Sequence, residues 1–119
     1  MKPNSLTLLS TAALALAVSF GAQADTAKLS HQDKSFLKEA AEGGNAEISG
    51  SQMALSQSSS ADVKTFAQMM VDDHGKAGAE LKSLAEQKGV KVSDTPSLTK
   101  KTEIKMLSAR KGSSFDQHY

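Results

Sequence analysis

Residues 60–89, SADVKTFAQMMVDDHGKAGAELKSLAEQKG, decide the fold. Seven positions in this stretch recur at alternating steps of four and three, which is the period of a helix packed lengthwise against other helices. Ser60 suits the N-cap position, and Gly89 suits the position that ends a helix. The stretch therefore predicts one long amphipathic helix, with an inward stripe formed by Val63, Ala67, Met70, His74, Ala77, Leu81 and Leu84.

One member of this stripe is polar. A histidine ring in a helix–helix contact lowers stability unless a partner hydrogen-bonds or ligates it. His74 is therefore the first candidate functional residue, whereas the preceding Asp72 and Asp73 are expected to lie on the solvated surface.

The first 24 residues have the pattern of an export signal. Lys2 is followed by an apolar run over residues 6–20 and by Ala22-Gln23-Ala24, which matches a signal-peptidase site. We predict a signal peptide at 1–24, cleavage after Ala24, and a mature chain, 25–119, in the periplasm or cell envelope. Retention of the leader as a membrane anchor is the alternative, although the run is shorter than the roughly 20 residues of a spanning helix.

The composition favours an all-α protein. Aromatic residues are scarce, cysteine is absent, and residues with high helix propensity are abundant. The chain has 14 basic and 13 acidic residues, and removal of the leader deletes one lysine and no acid, so the mature chain is formally neutral. This neutrality argues against a nucleic-acid partner.

Further helices are predicted on both sides of the central one. A long helix over residues 30–58 contains Gly43-Gly44, which we interpret as a close helix approach or a kink, with a ligand-related role as the alternative. The serine run at 58–60 makes an antiparallel hairpin of the two long helices. A shorter helix is expected at 98–111, with Gly112 as its stop, and another begins after Ser113-Ser114.

Two long helices and a short one leave an apolar trough open. A mature chain of this length is marginal for a closed core. We therefore expect either a chain truncated to the N-terminal half of a longer protein, or a homodimer that completes the bundle.

Several segments resemble a known family, the exported bacterial domain of unknown function number 4142, whose members are often described as ferritin-like or predicted outer-membrane proteins. The resemblance covers residues 33–119 and implies a ferritin-like four-helix bundle, of which this chain would hold the first half. Family members have no settled activity, so the resemblance implies a fold and a compartment. Gly50 and Ser51 depart from the family pattern. The matching segments are DKSFL (33–37), AAEGG (40–44), EI (47–48), VKTFA (63–67), MVDDH (70–74), LA (84–85), and Phe115-Asp116 with Tyr119.

Folding the hairpin about its serine link brings Glu47 level with His74 to within about one turn. The two could form a structural pair, could ligate a transition metal, or His74 could face solvent. Ferritin-like metal sites use a Glu together with a Glu-x-x-His pair, but Val71 occupies the position three before His74. Met70 and His74, four residues apart, also offer a thioether and an imidazole to copper.

No nucleophile elbow, phosphate-binding loop or catalytic triad order is present in the sequence. We therefore expect an exported, non-enzymatic helical protein with a role in interaction or envelope stress. The alternative is a ferritin-like protein that binds iron or another transition metal through Glu47 and His74.

Overall fold

A computed structural model describes residues 28–119, and the predicted signal peptide lies outside this range. Four helices follow one another along the chain: α1 (His31–Gln57), α2 (Ala61–Gln87), α3 (Leu98–Ser108) and α4 (Gly112–Asp116). The described residues contain no β-strand, which confirms the all-α prediction. Within the same residues, no helix is both long enough and apolar enough to cross a membrane.

Local capping fixes the start of α1. The Ser30 hydroxyl accepts a hydrogen bond from the backbone N–H of Asp33, and the Asp33 carboxylate accepts one from the backbone N–H of Ser30. Together these bonds form a capping box. Hydrogen bonds from the Ser30 hydroxyl and backbone N–H to the carboxylate lower the pKa of Asp33.

Helix α2 is bounded as the sequence predicts. The Ser60 hydroxyl accepts from the backbone N–H of Val63 at the N-terminus. At the C-terminus, Gly89 adopts φ +70°, and the backbone N–H of Val90 donates to the carbonyl of Ala85 at 2.8 Å. This left-handed glycine followed by a buried valine is a Schellman motif, which satisfies carbonyls that the helix end leaves free.

The two long helices pack as an antiparallel hairpin with a core cluster near each end. Near the serine link, Ala54, Ala67 and Phe115 are buried together. At the far end, the buried residues are Leu37, Ala85 and Val90. The buried residues of α1 and α2 in these clusters are Leu37 and three alanines, and Val90 and Phe115 of later segments add side chains larger than alanine.

The buried stripe of α2 departs from the predicted one toward the C-terminus of the helix. Leu84 is 47% exposed and Ala77 is exposed, whereas Ala85 is fully buried and Gly78 is half-buried. The predicted positions follow a strict seven-residue repeat. A straight α-helix has about 3.6 residues per turn and rotates by about 20° per heptad relative to that repeat, so the inward position moves by one residue along α2.

The interpretation of Gly43-Gly44 as a close helix approach is wrong. A Cβ atom built on either glycine has no atom within 4 Å, and the same holds for Gly50, Gly75 and Gly78. These helical glycines are therefore not required by backbone packing.

Replacing Gly43 with alanine should raise the free energy of unfolding by about 0.5–1 kcal/mol, because alanine is the better helix former and has space for its methyl group. The same substitution at Gly89 should lower it by about 1–2 kcal/mol, because φ is +70° there. Urea titration of both variants checks the pair. If the free energy of unfolding changed in the same direction in both variants, Gly43 and Gly89 would not differ in their need for glycine as proposed.

Helices α3 and α4 both pack on α1. Helix α3 ends at Ser108, three residues before the predicted end. Gly112, predicted as a stop, has φ +56° and is the first residue of α4.

Phe115 anchors the C-terminal segment to the hairpin. Its ring is fully buried between the long helices and stacks on Tyr119 with centroids 5.7 Å apart. The Tyr119 hydroxyl lies 2.7 Å from the buried Ser51 hydroxyl of α1, which gives that hydroxyl a hydrogen-bond partner. Ser51, a departure from the family pattern, is thus used to hold Tyr119.

Candidate functional site

A half-open cleft of about 390 Å³ lies between α1, α2 and residues 90–94, a segment that we call the strap. The walls are formed mainly by small and apolar residues, with a few polar groups at the edge. Those residues are Ala40, Ala41, Gly44, Asn45 and Ile48 of α1, His74, Gly75, Ala77, Gly78, Ala79, Leu81 and Lys82 of α2, and Val92, Ser93 and Asp94 of the strap.

The strap is fastened to both long helices. From α1, the Asn45 side-chain amide donates to the carbonyl of Ser93 at 3.0 Å. From α2, the Lys82 ammonium bonds the Asp94 carboxylate at 2.8 Å. That bond and the attraction between the two charges raise the pKa of Lys82 and lower the pKa of Asp94. The strap thus forms a third wall that is joined to α1 by a part-buried hydrogen bond and to α2 by an exposed ion pair.

His74 lines this cleft. It is half-buried on α2 and lies among the lining residues that include Gly75 and Gly78. Within the described part of the chain, its imidazole has no hydrogen-bond partner. The ring nitrogens therefore remain available to a molecule in the cleft.

Glu47 is not among the residues that line the cleft. It is exposed on α1, one residue before the half-buried Ile48 that lines the cleft, and this step turns its side chain about 100° around the helix axis. The pKa of Lys100 on α3 is raised mainly by its hydrogen bond to Glu103, and the charge of Glu47 adds to this effect. Among the described residues, no hydrogen bond or ion pair joins Glu47 to His74, so their predicted structural pair is not formed.

Metal ligation by Glu47 and His74 stays a prediction. Over residues 28–119, no group of three or more His, Cys, Asp or Glu side chains is arranged so that it could hold a metal ion. The Met70–His74 pairing with copper is likewise untested. As predicted, Asp72 and Asp73 are both exposed.

Sequence reasoning found His74 but missed the rest of the cleft. Gly44, Gly75 and Gly78 line it, and each is a residue that disfavours a helix in the middle of a long one. These glycines are the feature of the sequence that could have indicated the cleft. The position of the strap could not be predicted from the sequence, because its contact with Asn45 joins residues that are 48 positions apart.

Three exposed apolar residues of α2, Phe66, Met69 and Leu84, form what we call the outer stripe. Phe66 and Met69 lie one turn apart, and Leu84 follows about 22 Å further along, with exposed Asp73 and Glu80 between them. The side chains of the outer stripe are 47–50% exposed. Phe66 and Leu84 each precede a fully buried alanine by one residue, so the outer stripe lies about 100° around the helix axis from the buried stripe. Helix α3 also exposes two large apolar residues, Leu98 at 82% and Met106 at 67%.

The comparisons with known proteins show a family. The model of the domain of unknown function DUF4142 matches residues 18–119. Searches among curated proteins and among solved structures gave no match. The match covers most of the chain, and the chain therefore belongs to the DUF4142 family.

Proposed function

We propose that this chain is an exported, non-enzymatic helical protein of the cell envelope that acts through association with other helical surfaces, first of all with a second copy of itself. The outer stripe on α2 carries this proposal. The signal-peptide pattern at residues 1–24 supports export.

The outer stripe gives α2 two apolar faces. One face packs on α1. On the other, the Phe66 ring contacts the Tyr119 ring edge-on with centroids 6.3 Å apart, whereas about half of the surface of Phe66, Met69 and Leu84 stays exposed. A helix with one neighbour needs one apolar face, whereas a helix inside a larger bundle contacts two neighbours. Phe66 and Met69, one turn apart, are the apolar pair that a partner would cover, and Leu84 stands apart from them. The second face of α2 therefore fits another helix.

The distribution of charge supports a second copy as the partner. Exposed acidic residues, Asp62, Asp73 and Glu80, lie on the same side of α2 as the outer stripe and alternate with it along the helix. The exposed face of α3 carries Leu98 and Met106 together with exposed Lys101 and Lys105. An acidic, apolar α2 face on one chain complements a basic, apolar α3 face on another.

The α2 face of each copy can pair with the α3 face of the other. A twofold axis between two copies therefore generates two identical contacts. A twofold interface uses the same surface patches on both subunits and closes the assembly at a dimer. Such a dimer contains four long helices, the number in the ferritin-like bundle that the family resemblance implies.

The full-length chain, expressed with its leader and isolated from the periplasm, tests the proposal. Its intact mass should place Asp25 at the N-terminus, and sedimentation should show a dimer. Retention of Met1 in the membrane fraction would contradict export with cleavage. A compact monomer at high protein concentration would contradict self-association.

A charge-reversal cycle tests the orientation of the dimer. Lys105→Glu should weaken dimerisation several-fold, because it places like charges opposite each other at two symmetric positions. Adding Asp73→Lys should restore much of the loss. Lys64→Glu makes the same change at an exposed α2 site away from the outer stripe and is the control. Equal effects of Lys64→Glu and Lys105→Glu would contradict the proposed pairing of α2 with α3.

The alternative, ferritin-like metal binding by Glu47 and His74, is tested on the same sample. Stoichiometric iron, manganese, zinc or copper that is lost in the His74→Ala variant would favour that alternative over a purely interacting protein.

A further inference from the structure

We propose that the cleft between α1, α2 and the strap is a binding site for a small, uncharged and largely apolar molecule, with His74 hydrogen-bonding its one polar group. This inference does not rest on the proposed dimer, because Phe66, Met69 and Leu84 of the outer stripe are not among the residues that line the cleft.

The size and the walls of the cleft fit such a ligand. Its volume of about 390 Å³ lies in the range of small-molecule sites, which are concave, mostly apolar and formed before the ligand binds. Val90, which is buried against Leu37 and Ala85, and the part-buried bond from Asn45 to Ser93 hold the strap in place without a ligand. The third wall therefore does not have to be assembled on binding.

The cleft exists because three helical positions lack side chains. Gly44, Gly75 and Gly78 each lower helix stability relative to alanine, and a Cβ at any of them would meet no atom within 4 Å. Close packing therefore does not account for them. What these glycines do is leave open the space between the two helices, at the level of His74.

The polar groups of the cleft indicate the chemistry of the ligand. The only charged side chains that line it among the described residues, Lys82 and Asp94, neutralise each other in an ion pair. A charged ligand would find no counter-charge that is free of a partner. The imidazole of His74, which lacks a hydrogen-bond partner in the described chain, can either donate or accept. An uncharged molecule with one hydroxyl, carbonyl or amino group needs no counter-charge and can form a hydrogen bond with His74.

A small molecule fits this cleft better than a helix does. The strap contacts α1 through Asn45 and α2 through Lys82, so a helix laid along this groove would meet the strap. The residues that suit a helix are Phe66 and Met69 of the outer stripe, which lie outside the lining of the cleft.

Binding of 1-aminoanthracene, an uncharged apolar fluorophore with one amino group, tests the proposal on the full mature chain. We expect saturable binding of one molecule per chain. Gly78→Leu should weaken it at least tenfold, because the leucine side chain fills the cleft. Gly43→Leu introduces the same side chain at a helical glycine outside the cleft, and it should bind the probe as the unmodified chain does. Circular dichroism confirms that both variants fold.

Two further variants distinguish the cleft from the outer stripe. His74→Ala should weaken binding by about three- to tenfold, as the loss of one hydrogen bond predicts. Met69→Gln makes the outer stripe more polar and should leave probe binding unchanged. Binding that falls with Met69→Gln but not with Gly78→Leu would overturn the proposal and place the probe on the outer stripe. Equal binding by Gly78→Leu and Gly43→Leu, or no saturable binding at all, would also overturn it.

Discussion

Replacing Phe115 with alanine should lower the free energy of unfolding by about 3–5 kcal/mol. Phe115 is the largest side chain that is fully buried among the described residues, and it contacts both long helices through Ala54 and Ala67. Removing its ring leaves a cavity at this end of the hairpin and also removes the stacking partner of Tyr119. Urea titration followed by circular dichroism measures the change.

The same chemical change at Phe36 is the control for this prediction. Phe36 lies on α1 and is 67% exposed, so Phe36→Ala should change the free energy of unfolding by less than about 0.5 kcal/mol. Similar losses in the two variants would mean that the Phe115 ring does not anchor the C-terminal segment in the core.

Replacing Leu37 with alanine should lower the free energy of unfolding by about 2–5 kcal/mol. Leu37 is 6% exposed and packs against Ala85 and Val90 at the end of the hairpin opposite Phe115. Val90 is also the first residue of the strap, so the loss of Leu37 should loosen the third wall of the cleft. Denaturant titration reports the stability, and affinity for 1-aminoanthracene should fall in the same variant.

Leu98→Ala is the matched control for Leu37→Ala, because Leu98 is 82% exposed. Both variants are compared at a protein concentration where the chain is monomeric, since the proposed dimer would cover Leu98. In the monomer, Leu98→Ala should be nearly neutral. A loss at Leu98 as large as that at Leu37 would contradict the assignment of the core to the Leu37 cluster.

The helix boundaries illustrate how far local sequence determines this protein. Ser30 with Asp33, Ser60, and Gly89 followed by Val90 act through bonds to residues that are at most five positions away. Capping of this kind depends on the local chain alone, so the sequence predicts it correctly. Helix α3 lacks such a glycine directly after its end, and its predicted end was three residues too late.

The candidate site could be predicted only in part. His74 stands out in the sequence because it is a polar residue in an apolar stripe, and the structure places it at the cleft. Its predicted partner Glu47 lies instead on a side of α1 that faces solvent and the charge of Lys100. Counting residues from the turn gives the axial position of each residue along a hairpin. It does not give the rotation of each helix about its own axis. That rotation depends on which side chains pack between the helices.

The sequence by itself determined the all-α class, the long hairpin and the capped ends, because helix propensity, apolar periodicity and capping all act within a few residues. Only the tertiary structure decided that Ala85 rather than Leu84 is buried, that the helical glycines open a cleft, and that the strap closes one side of it. These features depend on contacts between distant segments, such as Asn45 with Ser93 and Leu37 with Ala85 and Val90. Such contacts form only when the packing of the helices fixes both their rotation and their spacing.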